Sequence, residues 1–413
     1  RCSFCYAGCN CTTNPSGDER EMSGAEVRSV LRKIWEQGKT PSVSFTGGEP
    51  TLRSDLPHLV RRAKRLGFLV NLITNGTQVT PEIASRLAGA GLDSAQVSLE
   101  GVGAETHDAI TAVRGSQART IAGVGHLRRA GIRVHTNTTL NRRNLNECVE
   151  MPRFVAERLE LPRFSMNLIV PAGSAAVHGG LAVSYSELAP HLEAIAAAST
   201  AAGVEFMWYS PTPMCIFNPV ARGLGNRGCA ACDGLLSVAA NGDVLPCASY
   251  DEPVGNLLRQ DVGAVWESAR ARSFRDKFLA HPQCRDCEEF DVCNGACPLY
   301  WRRQGFAELE GCRGFRPVGE EHFAIPLNSV LETLVVEPDE IGRTEGREVL
   351  NLRGEPLLLR RLAEEFELPG GRHDARQFAV VLGLSLIHIS EPTRPFTLTR
   401  KPSSAGKRGG GGG

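Results

Sequence analysis

Residues 42–50 read Ser42-Val43-Ser44-Phe45-Thr46-Gly47-Gly48-Glu49-Pro50. A short β-branched and aromatic run breaks there into two adjacent glycines, a carboxylate and a proline. The run has the character of a buried strand. The glycines that end it leave backbone with no Cβ in the way of a ligand. A helix-period segment, Gly24 to Gln37, precedes the run, and another, Asp55 to Arg65, follows it. The same unit recurs outward. Strand-like runs at Leu69 to Thr74, Ser94 to Leu99, Val134 to Leu140 and Phe164 to Val170 alternate with helical segments at Pro81 to Ala90, Ala118 to Ala130, Leu145 to Leu159 and Ser184 to Ala202. Parallel neighbours need crossover connections, so this alternation predicts an α/β fold built on a parallel sheet. A barrel and an open doubly wound sheet both fit, and in both the ligand chemistry lies at the C-terminal ends of the strands.

The unusual residues sit at those ends. Besides Gly47-Gly48-Glu49, Leu69 to Thr74 runs into Asn75-Gly76, and Val97-Ser98-Leu99 into Glu100-Gly101. Singly, each is an ordinary strand-to-helix turn.

Composition narrows the class. A chain of 413 residues with 42% hydrophobic content can bury more than one core, which predicts two or three domains. Its 46 basic and 46 acidic side chains balance, which gives no bulk attraction to nucleic acid or an anionic membrane. The most apolar stretch, Leu192 to Trp208, is interrupted by Glu193, Ser199, Thr200 and Glu205, so no membrane span is expected and a cytoplasmic location is. Fourteen cysteines concentrate at Cys2 and Cys5 and between Cys229 and Cys312. A disulfide framework belongs to short secreted domains rather than to a long chain of alternating strands and helices.

With the glycine-rich strand ends, Cys2-Ser3-Phe4-Cys5-Tyr6 resembles the radical S-adenosylmethionine (SAM) superfamily, whose first strand ends in a C-x3-C-x2-C loop followed by an aromatic residue. Cys2, Cys5 and Tyr6 match the second cysteine, the third cysteine and the aromatic. The first cysteine would lie just upstream of Arg1, since neither Cys9 nor Cys11 gives the spacing. The resemblance therefore implies a partial (β/α)6 TIM-like barrel that lacks its first strand. Three thiolates leave one iron of a 4Fe-4S cubane open, and SAM chelates it there. Cys2 and Cys5 would be the catalytic cluster ligands. Tyr6, Gly47, Gly48 and Glu49 would contact SAM, with the last three at its amino group. Ser98 and Glu100 would lie near the ribose and methionine end, and Asn137 would be a further polar contact. Glu105-Thr106-His107-Asp108 is similar to a family phrase in which an arginine often stands four residues after the histidine. Thr111 stands there in this chain, with Arg114 nearby.

The second cysteine group reads Cys232-x9-Gly242-x4-Cys247, then Cys284-x2-Cys287-x5-Cys293-x3-Cys297, then Cys312. Taken alone, paired C-x2-C spacings would also suit structural zinc. The order matches the SPASM pattern, which implies two auxiliary 4Fe-4S clusters. Cys232, Cys247 and Cys297 would hold the first, with Cys229, or alternatively Cys215, as fourth ligand. Cys284, Cys287, Cys293 and Cys312 would hold the second. Cys9, Cys11 and Cys148 are left unassigned.

The expected organisation is a barrel over residues 1–204, a SPASM domain over 205–315, a small α/β extension over 316–383 and a non-native or disordered tail over 384–413. In the extension, strands are expected at Leu334 to Val336 and Val349 to Leu352, and a helix from Glu355 to Phe366, with Leu358, Leu359, Leu362 and Phe366 on one stripe. Leu384 to Pro395 resembles a translated sequencing adapter.

The resemblance implies an oxidoreductase that cleaves SAM reductively to a 5'-deoxyadenosyl radical and abstracts hydrogen from a substrate. Reduced flavodoxin or ferredoxin would donate the electron. SPASM relatives mostly modify ribosomally made peptides, which makes a peptide the first choice of substrate and a heme- or tetrapyrrole-type molecule the second. The sulfatase-maturing branch places an aspartate directly after the second SPASM cysteine, where this chain has Ala248. A multi-cluster electron carrier is the non-enzymatic alternative, but a carrier would have no need of Gly47-Gly48-Glu49 at a strand end.

Overall fold

The computed structural model describes residues 2–6, 20–177, 179–225, 228–287, 289–310, 330–336, 338–344, 347–352, 355–359 and 377–382. Six parallel strands lie in sequence order: β1 (Ser42–Phe45), β2 (Leu69–Thr74), β3 (Ser94–Ser98), β4 (Arg133–Leu140), β5 (Arg163–Leu168) and β6 (Glu205–Trp208). Sequential order with a helical crossover at every step is the topology of a partial (β/α) barrel. The sixth strand was hidden in the sequence within the apolar run after residue 192. It pairs with β5 from Arg163↔Glu205 to Met166↔Trp208, so the parallel sheet runs past the expected boundary at residue 204.

The crossover helices start and stop where local chemistry dictates. Helix α1 (Gly24–Gly38) opens on a capping box in which Ser23 and Glu26 satisfy one another's backbone N–H groups. Helix α2 spans Leu56–Leu66. Helix α3 (Pro81–Ala90) has Thr80 as its cap, a proline in its first turn and Gly91 in the left-handed conformation at its end. Helix α4 (Ala104–Thr111), unforeseen in the sequence, leads into α5 (Ser116–Arg129). The start of α5 is capped by Asp108, whose carboxylate accepts the Gly115 and Gln117 N–H groups and the Ser116 hydroxyl. Helices α6 (Met151–Glu157), α7 (Ser174–Val177) and α8 (Tyr185–Ala202) complete the layer.

The two faces of the sheet differ in kind. Val70, Leu72, Ala95, Val97, Leu99, Phe164, Met166, Phe206 and Trp208 are buried in one apolar cluster with Val60, Leu87, Leu127, Val155 and Leu192 of the helices. The alternate positions carry Asn71, Ser94, Gln96, Ser98, His135, Asn137, Ser165 and Asn167, a polar face.

The cysteine-rich segment belongs to the same compact unit, which comprises residues 1–219 and 224–312. Its antiparallel sheet consists of β7 (Ser237–Val238), β8 (Asp243–Leu245) and β9 (Gly255–Asn256). Gly242 turns β7 into β8 with φ +88°, where a Cβ would stand 2.7 Å from Leu258 Cγ, so only glycine fits. Helices α9 (Val262–Trp266) and α10 (Ala269–Arg275) follow, then α11 (Phe290–Cys293) and α12 (Pro298–Gln304). Helix α1 serves both halves. Met22 and Val30 are buried with Val244, Leu257 and Val265, while Leu31 is buried in the barrel core. Lys33 Nζ also donates to the Leu257 and Gln260 carbonyls at 2.9 Å each.

The second unit comprises residues 220–223 and 313–413. Its described strands are β10 (Val330–Val336) paired with β14 (Gln377–Leu382), and β11 (Ile341–Thr344), β12 (Arg347–Leu352) and β13 (Glu355–Leu358) in antiparallel order. The expected strands are present. The helix expected from Glu355 is corrected: Glu355–Leu358 pairs with β12, because the alternate residues of this apolar run suit a ladder as well as a stripe. Leu359 donates its N–H to the Glu348 carbonyl at 2.8 Å, and residues 360–366 of that helix, Cys312 and the tail from Leu384 lie outside the described residues.

Candidate active site and cluster sites

Gly47, Gly48 and Glu49 follow β1 directly. Gly47 has φ +142° with open space where a Cβ would point, and Thr46, Gly47 and Gly48 are exposed, so this backbone is bare on one side. Glu49 is held from three directions. Its Oε1 accepts the Thr51 N–H at 3.1 Å, the Thr51 hydroxyl at 2.5 Å and the Thr74 hydroxyl at 2.7 Å; Oε2 accepts the Asn75 N–H at 2.8 Å. A carboxylate offers about four acceptor positions. Three of these bonds fall on Oε1, so Oε2 is the oxygen with capacity left for a cation.

Cys2 and Cys5 form a turn closed by Cys5 N–H to Cys2 O at 3.2 Å and tied to α4 by Ser3 N–H to Ile110 O at 2.9 Å. Burial pushes the Cys2 thiol up to about 11, and the nearby Glu100 carboxylate adds to the rise. Glu100 is itself 3% exposed; burial drives it up to about 8, opposed by the Thr139 N–H at 2.9 Å. The Glu100 backbone N–H donates to His107 Nδ1 at 3.1 Å, so His107 links the motif of α4 to the end of β3. Thr111 spends its hydroxyl on the His107 carbonyl and on Ser116, while Arg114 is exposed. Tyr6 is 36% exposed.

Ser98 and Asn137 are register partners on the polar face. Asn137 Nδ2 donates to Asn167 Oδ1 at 2.6 Å, and Ser165 Oγ donates to Asn137 Oδ1 at 2.9 Å. Further toward the N-terminal ends, His135 Nε2 lies 3.3 Å from Gln96 Oε1, and Ser94 Oγ donates to Asn71 Oδ1 at 2.8 Å. Sequence reasoning found Ser98 and Asn137 but missed Gln96, His135, Ser165 and Asn167. The signal was present in the strict alternation of Arg133-Val134-His135-Thr136-Asn137 and Arg163-Phe164-Ser165-Met166-Asn167. It also missed Thr51 and Thr74, which fix Glu49.

Among the described residues no cysteine is in a disulfide. Cys229, Cys232, Cys247 and Cys297 fall in one apolar cluster. Burial pushes Cys297 up to about 12, with Cys229 and Cys247 adding to the rise. It pushes Cys232 up to about 11 against the nearby Arg275, with Cys247 and Cys229 adding. Cys229 adds to the rise of Cys232, Cys247 and Cys297 alike, although among the described residues no group of three or more His, Cys, Asp or Glu side chains is drawn together closely enough to hold a metal ion. Lys277 Nζ, donating to the Cys229 carbonyl at 2.8 Å, and Arg275 stand beside the set as compensating cations. Cys284 is likewise raised by burial, then by Cys293 and Cys287. Cys215 is exposed and Cys148 is fully buried in the barrel core.

Residues 1–155 match the radical SAM superfamily, and residues 229–288 match SPASM, an iron-sulfur cluster-binding domain. A PqqA peptide cyclase of Streptomyces rochei is 31% identical over 295 residues, covering 68% of this chain and 76% of the relative. The chain belongs to the radical SAM superfamily. An AdoMet-dependent heme synthase of Nitratidesulfovibrio vulgaris is also similar, 28% identical over 71% of this chain and 83% of its own length. Streptococcus suis SuiB bound to S-adenosylmethionine shares the fold, with a TM-score of 0.59 at 19% identity over 74% of this chain and 71% of that one. Residues 315–389 match a CheW-like domain, a span that overlaps the extension expected over 316–383. This radical SAM enzyme thus uses SAM and 4Fe-4S chemistry. Among the described residues no helix is long and apolar enough to cross a membrane.

Proposed function

We propose that this radical SAM enzyme matures a peptide, with Cys2 and Cys5 as ligands of the SAM-binding cluster. Gly47, Gly48, Glu49, Tyr6, Ser98, Glu100 and Asn137 would hold SAM. A 4Fe-4S cluster held by Cys2 and Cys5 would supply the electron for reductive cleavage of SAM. The chain's own residues bind and orient. The bare backbone at Gly47 and Gly48 would admit the methionine end of SAM, and Glu49 Oε2, with its partner oxygen saturated, would accept the ammonium. Cys229, Cys232, Cys247 and Cys297 would carry one auxiliary cluster. Cys284, Cys287 and Cys293 would carry a second, with Cys312. Cys229 is favoured over Cys215 because it perturbs Cys232, Cys247 and Cys297 alike. Reduced flavodoxin or ferredoxin is the proposed donor.

The observation that carries the peptide reading is the neutral polar face. Ser98, Gln96, Asn137, Ser165 and Asn167 are uncharged, and burial lowers His135 to about 4, which leaves it neutral as well. The arginines of this face, Arg133 and Arg163, stand at the N-terminal strand ends, where Arg163 pairs with Glu205 at 3.2 Å. Amides and hydroxyls match the donors and acceptors of a peptide backbone. The carboxylates of a tetrapyrrole would call for guanidinium groups. The test is 5'-deoxyadenosine formation by anaerobically reduced full-length enzyme, with the precursor peptide encoded beside it or with a carboxylated tetrapyrrole. Turnover with the tetrapyrrole and none with the peptide would overturn the reading in favour of the heme-type alternative, which the similarity to heme synthases supports.

A further inference from the structure

We propose that residues 173–176 form a brace that positions the Cys2–Cys5 loop, and that Arg303 ties this brace to the cysteine-rich segment. Gly173 has φ +55°, and a Cβ on it would stand 2.3 Å from the Cys5 carbonyl oxygen and 2.7 Å from that of Tyr6. The cysteine loop therefore lies directly on the backbone of residue 173, an approach that a side chain would forbid. The next residue, Ser174, donates its N–H to the same Cys5 carbonyl at 2.8 Å. Ser174 and Ala175 are buried, so the brace is seated in the core rather than swinging in solvent. On its far side the Ala176 carbonyl accepts Arg303 Nη2 at 2.8 Å. Arg303 lies on α12, the helix that begins directly after Cys297.

The cysteine loop is thus gripped from two sides by backbone contacts. Ile110 holds Ser3 on one side, and Gly173 and Ser174 hold Cys5 on the other. Ala176, at the far end of the brace, accepts from the helix that directly follows Cys297, a proposed auxiliary-cluster ligand. Neither Gly173 nor Arg303 touches the reacting atoms, so both are positioning residues. The inference rests on the assignment of Cys2 and Cys5 to the SAM-binding cluster.

The experiment compares Gly173→Ala, Arg303→Met and Cys5→Ala with the parent, in holoenzyme reconstituted anaerobically from the full-length chain. The readouts are iron per chain and the electron paramagnetic resonance signal of the reduced first cluster before and after SAM, with the auxiliary signals as internal reference. Cys5→Ala should lose the first-cluster signal; if it does not, the ligand assignment fails and not the brace. Gly173→Ala should keep the auxiliary signals but lose most of the SAM-induced change. Arg303→Met, which removes a single exposed hydrogen bond, should keep its iron and weaken SAM binding by about two- to tenfold. Parental first-cluster behaviour in Gly173→Ala, with Cys5→Ala behaving as expected, overturns the proposal. Should Gly173→Ala also lose the auxiliary signals, Arg303→Met decides alone, and parental SAM binding there overturns it.

Discussion

Thr74 donates its hydroxyl to Glu49 Oε1 at 2.7 Å, bridging the ends of β1 and β2. The bond fixes the carboxylate in place before any ligand arrives. Glu49→Gln should weaken SAM binding by about 10- to 100-fold, the worth of a charge-assisted hydrogen bond. Thr74→Val, which frees the carboxylate to move and also removes the acceptor of the Gly76 N–H, should weaken it by less. Equilibrium dialysis with iron counting checks both. A Glu49→Gln variant with parental affinity would remove Glu49 from the site.

Cluster assignment separates by iron stoichiometry. Cys5→Ala should abolish 5'-deoxyadenosine formation while the auxiliary iron stays. Cys232→Ser should lose about four iron atoms, the content of one cubane, and loosen the β7–β8 hairpin to proteolysis. Acid-labile sulfide should accompany the iron. Stoichiometric zinc without sulfide would sink the cluster reading.

Two glycines should respond to alanine with opposite signs. Gly123 of α5 packs on the turn after β2, and a Cβ there would stand 2.2 Å from the Gly76 carbonyl oxygen. Gly123→Ala should destabilise the chain by about 1–3 kcal/mol, as overpacking does. Gly89 of α3 has nothing within 4 Å of its Cβ direction, so Gly89→Ala should stabilise by about 0.5–1 kcal/mol. Urea midpoints measured side by side decide this. Equal shifts would show that the close approach at Gly123 is absent.

Acid should act through His107. It is 1% exposed, and burial lowers its pKa to about 4, with Asp108 opposing. The unfolded chain, near 6.5 at this residue, binds the proton first. Stability is therefore full above about pH 6.5 and is lost as pH falls toward 4, by at most about 3 kcal/mol. His107→Gln should flatten that part of the stability–pH curve. An unchanged slope would mean that His107 is charged in the fold.

The α/β alternation was legible because crossover helices and buried strands impose different periods, and most of α1, α2, α3, α5 and α8 stand within a few residues of expectation. Strand β6 was not, because its residues merge with the alanine-rich end of α8 into a single apolar run. Glu355–Leu358 was misread for a related reason: four residues cannot separate a period of two from one of 3.6. At the candidate site, residues whose types are chemically distinctive, Gly47, Glu49, Glu100 and the cysteines, could be proposed from the sequence. Thr51, Thr74, Gly173 and Asn167 could not, because a threonine or a glycine acquires its role only from what the fold brings beside it.

Helix α1 has two apolar sides, one against the barrel and one against the cysteine-rich sheet, and Lys33 and Gln37 latch it to the latter through the Leu257 and Gln260 carbonyls and through Asp261. Such a party wall limits recombination. A cysteine-rich segment grafted from a relative would meet an α1 shaped for another tenant, and a barrel expressed alone would present Met22 and Val30 to solvent as an aggregation seed. Viable chimaeras should therefore carry residues 20–38 across together with the cysteine-rich segment, even though some two hundred residues of sequence separate them.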